Sequence, residues 1–489
     1  MLKAIRPLVQ RSYFRFGVTG ILSLSSLALV LVALGKSEPP LKATRWPASV
    51  SNVQTATSGT QMSLGAWSII PTPPNTLGRQ IKSLNCASAA DCWAVGYTLQ
   101  GVDQGFILHW NGSSWSDVVS PQFNVEAHLE SVTCVSTSDC WAVGFTRGLT
   151  FPQPKNTLIE HWDGNSWTVV ASPNPSNGTN FLFGVTCVSS NDCWAAGLYG
   201  GGVLTEHWDG QAWQHVAAAN PGTSVVAVVA ITCVSGADCW LAGYYYPNEN
   251  TADVQTLVEH WNGTSWAIVP SPNLGPTNSQ FSAISCVSSS QCWAVGYGTT
   301  NTNPNNRTLI ERWDGNAWTL VPSPNEGETA PNILSSVSCP SASNCWAVGS
   351  INFSAPNGTP LVQHWNGSAW SIVSSPALNS THYGLYAVDC PSDATCRAAG
   401  WFNDGSAALQ TLAEHFTATP PQIMSASRAA SSFSLTGQTA PSLQLQVEAS
   451  AMVTNGFEGV DSVSSDASGH FEFQDSNPGP RKFYRVVIP

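Results

Sequence analysis

Leu129-Glu130-Ser131-Val132-Thr133-Cys134-Val135-Ser136-Thr137-Ser138-Asp139-Cys140-Trp141-Ala142-Val143-Gly144-Phe145, and further on Thr157-Leu158-Ile159-Glu160-His161-Trp162-Asp163-Gly164-Asn165-Ser166-Trp167-Thr168-Val169-Val170, decide the fold of this chain. Residues 129–133 alternate as a half-buried strand does. Cys134 to Cys140 brackets a short turn, and residues 141–145 form a second strand. After a polar, Pro-containing loop, residues 157–162 form a third strand and residues 167–170 a fourth. Asp163-Gly164 reads as a two-residue hairpin turn, because this dipeptide tolerates the positive φ such turns require. Ser172-Pro173-Asn174 ends the unit, since proline cannot donate to a ladder. We label the four strands A to D.

The unit recurs along the chain. Cys86/Cys92, Cys134/Cys140, Cys187/Cys193, Cys233/Cys239, Cys286/Cys292, Cys339/Cys345 and Cys390/Cys396 share one spacing and use all 14 cysteines. The first members of successive pairs lie 46 to 53 residues apart, the range of a four-stranded propeller blade. The seventh unit stops at Leu412-Ala413-Glu414-His415-Phe416, where strand C ends. Trp67-Ser68-Ile69-Ile70-Pro71, ahead of the first pair, has the pattern of strand D seen at Trp115, Trp167, Trp213, Trp266, Trp318 and Trp370. The expected fold is therefore all-β: a seven-bladed β-propeller closed by an N-terminal strand that completes the last blade, leaving only short edges. An open solenoid is the alternative, and it leaves the split repeat unexplained.

An even cysteine count in one local spacing reads as disulfides within each pair, made in an oxidising compartment. Cys-x5-Cys without a nearby Cys or His partner is poor zinc spacing, so no metal and no cofactor is expected. Residues 1–16 carry Lys3, Arg6, Arg11 and Arg15 without an acid, and an apolar run continues to Gly35. This segment, 1–35, reads as a cleaved signal peptide or an uncleaved signal anchor. Either places the propeller outside the cytoplasm, tethered or secreted, with the membrane touched only through this segment. Residues 36–65 read as a Ser/Thr/Pro-rich spacer, 66–416 as the propeller, 417–432 as a linker and 433–489 as a small β-sandwich-like module. A formal charge of −12 argues against nucleic acid or an anionic membrane surface as partner. The propeller is expected to be monomeric.

This repeat resembles secreted bacterial seven-bladed β-propellers. The turn Asp163-Gly164-Asn165-Ser166-Trp167 is similar to a shortened Asp-box of sialidase-type propellers, lacking the residue between Asp and Gly. That motif is a fold element, so the resemblance implies no sialidase activity. The end of the chain, Phe471-Glu472-Phe473-Gln474-Asp475 and then Arg481-Lys482-Phe483-Tyr484-Arg485-Val486-Val487, resembles fibronectin-like terminal modules of bacterial envelope proteins.

Strand C carries Glu160-His161, Glu206-His207, Glu259-His260 and Glu414-His415. Neighbours on a strand face opposite ways, so these are not acid–base partners. A group copied in nearly every blade reads as packing, although fucose-binding propeller lectins also repeat one site per blade. No Gly-x-Ser-x-Gly elbow and no arginine triad motif is present, and every cysteine is committed to a pair. Chain direction puts the D–A and B–C loops on one face of the ring, and that face varies from blade to blade. One position near the start of strand A reads Lys82, Glu130, Phe183, Val229, Ser282, Ser335 and Tyr386. Lys82, Glu130 and Tyr386 fall in adjacent blades of a closed ring. With the aromatic residues Tyr245, Tyr246, Trp401 and Phe402 they form the candidate ligand-binding set, and no catalytic residue is assigned. The expected function is a non-enzymatic binding propeller for a glycan or an extracellular protein. The alternatives are a glycan-processing glycosidase or lyase with a dispersed site, and a multivalent lectin.

Overall fold

The computed structural model describes residues 65–489, except 223–225, 248–252, 353–357, 379, 381, 407, 419–421, 429–431, 440–443, 451–457, 467–469, 477–482 and 488–489. The signal segment and nearly all of the spacer lie outside the described residues. Seven four-stranded antiparallel sheets form the blades. Blade one is Arg79–Ser88, Asp91–Thr98, Gly105–Trp110 and Trp115–Val118; blade two is Glu126–Ser136, Asp139–Arg147, Lys155–Trp162 and Trp167–Val170. Blade seven takes strands A to C from His382–Ser392, Thr395–Asn403 and Gln410–Ala418, and strand D from Gly65–Ile69. Trp67 pairs with Phe416 and Ile69 with Glu414, and Ile70 N donates to Ala413 O at 2.8 Å. The ring is closed as the split repeat requires.

Each cysteine pair is a disulfide across its own A–B turn: Cys86–Cys92, Cys134–Cys140, Cys187–Cys193, Cys233–Cys239, Cys286–Cys292, Cys339–Cys345 and Cys390–Cys396. Their Cα atoms lie 3.9–4.1 Å apart. The bridges join strands A and B across the turn and also enter the core. The second member of every pair, Cys92, Cys140, Cys193, Cys239, Cys292, Cys345 or Cys396, is wholly buried. It opens strand B and packs in the apolar core of its blade junction: Cys92 beside Trp110 and Trp115, Cys193 beside Trp213, Cys239 beside Trp266, Cys292 beside Trp318, Cys345 beside Trp370 and Cys396 beside Phe416. These sulfurs therefore contribute to the core as small apolar groups and offer nothing to a ligand or a metal.

The C–D connection differs from expectation. It is a four-residue loop between Trp162 and Trp167, not a two-residue turn. Asp163 Oδ1 accepts from the N–H groups of Asn165 at 2.8 Å and Ser166 at 2.9 Å, and Gly164 sits at φ 93°. The side chain closes the turn through the backbone N–H groups that a tight hairpin would have spent on its ladder. Those donors also lower the Asp163 carboxyl. Asn111 accepts in the same way in blade one, and Asn262 does so in blade four.

The blades pack through tryptophan. Trp93, Trp141, Trp194, Trp240, Trp293 and Trp346 are buried. Each reaches into the next blade: Trp93 lies 5.3 Å edge-on to Trp167, and Trp346 lies 5.4 Å edge-on to Trp67. The strand C histidine braces five of these rings from behind, and Arg312 takes its place over Trp293. His161 stacks on Trp141 at 4.1 Å, and its Nε2 sits 2.8 Å from Asp139 Oδ1. At the seventh position Arg397 replaces the tryptophan and lies 4.0 Å over the Trp110 ring, a cation–π contact that seals the junction between blades seven and one. Inner strands are also tied from blade to blade. Cys134 N donates to Asn85 Oδ1, and at the closing junction Cys86 N donates to Asp389 Oδ2, both at 2.8 Å.

The C-terminal residues form two three-stranded sheets. One is Gln422–Arg428, Phe433–Gln438 and His470–Asp475; the other is Glu458–Ser464, Gln444–Ser450 and Phe483–Val487. Strand therefore also runs through part of the stretch read as linker. Leu435, Val447, Phe471 and Phe473 are buried. Among the described residues no helix is long and apolar enough to cross a membrane. Seven disulfides suit an oxidising compartment outside the cytoplasm.

Candidate ligand site at the variable-loop mouth

The variable position near the start of strand A has a structural cause. In every blade the A–B register shifts by one residue there, between Ile81 and Ser83 in blade one and between Leu129 and Ser131 in blade two. The shift recurs in blades three to seven. Lys82, Glu130, Phe183, Val229, Ser282, Ser335 and Tyr386 are the seven bulge residues. A bulge re-aims a side chain without breaking the sheet, which is why bulges collect at binding sites.

Three of the seven meet. Lys82 Nζ lies 3.5 Å from Glu130 Oε2 and 5.1 Å from the centre of the Tyr386 ring. The Lys82 and Glu130 side chains are only 26% and 10% exposed. Burial alone would lower the Lys82 ammonium, but Glu130 and the hydroxyls of Tyr97 and Tyr386 outweigh it and raise it. Burial pushes the Glu130 carboxyl up, and Lys82 draws it part of the way back.

The structure adds residues that the sequence reading missed. Lys82 also lies 6.0 Å over Tyr97. Tyr97 stacks on His128 at 3.8 Å, His128 meets Phe145 at 4.8 Å, and Phe145 meets Phe181 edge-on at 4.7 Å. Phe183 stacks on Phe181 at 5.7 Å. An unbroken arc of rings and charges thus runs from blade seven into blade three. Around it stand Asp103, Glu126 and Arg147. Asp103 Oδ2 is 3.3 Å from His128 Nε2, and Arg147 bonds Glu126. Burial, then Arg147 and Lys82, lower His128 to about 4, so its ring is neutral at neutral pH. Burial and Glu126 raise Asp103. The missed residues lie one strand or one loop from the bulges. Only pairing Gln80 with Tyr97, or His128 with Phe145, would have found them.

The remaining candidates are placed differently. Trp401 meets His382 at 4.8 Å in blade seven. Phe402, the next residue, packs against the hydrophobic cluster of that blade. Tyr245 donates its hydroxyl to Gln255 Oε1 at 2.8 Å and packs between blades. Tyr246 turns the other way, 6.1 Å from Tyr244, and both raise Tyr297, which burial in the first place pushes to about 12. Strand alternation turns Phe402 to the opposite face from Trp401.

The strand C carboxylates are closed to any ligand. Glu160, Glu206, Glu259 and Glu311 are wholly buried and Glu414 nearly so. Each bonds the D–A loop of the preceding blade: Ser172 Oγ donates to Glu206 Oε2, and Ser375 Oγ donates to Glu414 Oε1, both at 2.8 Å.

No protein-family model matches the chain, and no curated protein does. The chain is similar to solved propellers. One is YCF48 bound to D1 peptide, with a TM-score of 0.47 and 12% identity over 74% of this chain and 99% of that one. A second is YCF48 from Cyanidioschyzon merolae, with a TM-score of 0.44 and 12% identity over 72% and 98%. A third is a protein of unknown function from Dyadobacter fermentans, with a TM-score of 0.39 and 9% identity over 72% and 97%. The seven-bladed fold of this chain rests on its own strand pairing.

Proposed function

We propose that this chain is an extracytoplasmic binding propeller whose ligand docks at the variable-loop mouth over blades seven, one, two and three. The observation that carries this reading is the break in symmetry. The opposite face repeats one bracketed turn, whereas here seven equivalent bulges carry six different residue types, and the charged and aromatic ones are contiguous. Aromatic rings beside a few fixed polar groups suit a glycan or a peptide. The loops flanking the same blades expose Leu77, Leu99, Val102, Leu149 and, at 95%, Phe151. Exposed apolar side chains on these loops favour a protein ligand over a bare glycan.

The test is a glycan and peptide array on the full chain, repeated with Lys82→Met combined with Glu130→Gln. Removing both charges together leaves neither one buried alone. Binding should weaken about tenfold, or roughly 1.4 kcal/mol, with the melting temperature nearly unchanged. Unaltered binding by this double variant rejects the mouth as the site. Asp103 and Glu126 converge beside the mouth, and that pair supports the second reading, a glycan-processing enzyme. Turnover of an array glycan, abolished by Asp103→Asn, would replace the binding reading with it.

A further inference from the structure

We propose that Asp103, Glu126 and His128 form a divalent-cation site at the rim of the mouth, between blades one and two. One ligand atom from each of the three residues fits within 4.8 Å of the others. Asp103 comes from the B–C loop of blade one. Glu126 and His128 stand two apart on strand A of blade two, so both side chains leave the same face of that strand.

The histidine is the independent observation. Its Nε2 is fully buried and makes no hydrogen bond, although Asp103 Oδ2 is 3.3 Å away. A buried nitrogen left without a partner is costly, and such groups call for an explanation. A cation between Nε2 and the two carboxylates supplies one. The other ring nitrogen, Nδ1, faces Glu130 Oε1 at 3.9 Å, and Glu130 is held in turn by Lys82. A ligating histidine commonly has a carboxylate behind its far nitrogen, which sets the ring's tautomer and orientation. Tyr97 and Phe145 clamp the ring on its faces, so its direction is fixed before any ion arrives.

Arg147 is the competing cation. Both of its contacts to Glu126 go to Oε2, and Oε1 takes no part in them. The guanidinium therefore orients Glu126 while leaving one oxygen for a metal. The donor set, one imidazole and two carboxylates, suits Zn²⁺ or Mn²⁺ better than an all-oxygen Ca²⁺ site or a thiolate site. Three protein ligands leave positions open to water or to a ligand atom at the mouth. No cysteine is involved and the ligands come from two blades, so local spacing could not show the group.

The site does not depend on the ligand proposed above, and its test uses metal alone. Untagged full-length protein, stripped with chelator, is titrated calorimetrically with Zn²⁺, Mn²⁺ and Ca²⁺. The expected result is one Zn²⁺ or Mn²⁺ per chain at micromolar affinity, a higher melting temperature with metal, and weaker Ca²⁺ binding. Asp103→Asn and His128→Gln should each weaken binding at least tenfold, and Lys82→Met combined with Glu130→Gln by about tenfold, with metal-free melting temperatures near that of the parent. Asp103 sits on a loop, so Asp103→Asn keeps the test valid if His128→Gln fails to fold. No binding below millimolar metal overturns the site, as does binding that persists in Asp103→Asn. Failure here leaves the mouth as a ligand site untouched.

Discussion

At the scale of single residues, the repeated strand C glutamate shows how a polar group becomes a structural one. Four of the five carboxyls keep one oxygen buried without a hydrogen bond: Glu206, Glu259, Glu311 and Glu414. Blade six carries Gln363 in the same place. There Oε1 accepts from Ser323 Oγ at 2.9 Å, while Nε2 donates to Pro324 O at 2.8 Å. The position requires one acceptor and one donor, and a glutamate supplies both only when protonated. Burial agrees, pushing Glu160, Glu206, Glu259 and Glu311 to about 8 and Glu414 to about 7. Because these values lie above the unfolded carboxylate range, the native state holds extra protons between about pH 4.5 and 8. Their contribution is complete below that window and is lost as pH rises through it. The ring should melt at a higher temperature at pH 5 than at pH 9. Glu160→Gln combined with Glu206→Gln should flatten that slope, and an unchanged slope would show that the carboxyls ionise without cost.

At the scale of elements, strand D of blade seven decides whether the ring exists. Gly65–Ile69 brings Trp67 onto Trp346 and Phe416, where the other blades use their own strand D. Gly65 lies at φ 143°, and a Cβ there would meet Thr417 O at 2.3 Å, so the strand enters where only glycine fits. Removing residues 65–70 should lower the melting temperature of the whole propeller by many degrees, in one cooperative step, since an open ring exposes two tryptophan-lined edges. Trp67→Ala alone should cost about 3–5 kcal/mol. Loss of a small separate transition instead would mean the strand is an appendage.

At the scale of the whole molecule, seven disulfides close seven short loops. Each contributes on the order of 2 kcal/mol through loop entropy. They sit at the A–B turns on the uniform face, and the second cysteine of each is wholly buried while the first packs against the same core. Reduction leaves the second cysteine as a buried thiol, which still packs as a small apolar group beside the tryptophans. Full reduction should therefore lower the melting temperature steeply yet leave an intact β-sheet circular dichroism spectrum below it. Free-thiol labelling of the native protein should find almost none. A reduced chain without sheet structure would show that the bridges carry the fold rather than reinforce it.

The period, the cysteine spacing and the split repeat determined the blade number, the closing strand and the disulfide pairing by themselves, because these depend on contacts between neighbours in sequence or on a pattern copied seven times. That Cys92 and its six counterparts are core residues was not legible there, since spacing shows which sulfurs meet but not which strand end turns inward. The Asp-Gly turn was legible in composition but not in length, since Asp163 folds its carboxylate onto the loop backbone. What gathers at the mouth was decided by the tertiary structure. Lys82, Glu130 and Tyr386 could be read as breaks in a repeat, but their burial, and the company of Tyr97, His128, Phe145, Asp103 and Glu126, come from a bulge and from blades meeting across the ring. A repeat announces what is the same in every blade; a site is built from what differs, and only closure of the ring places those differences side by side.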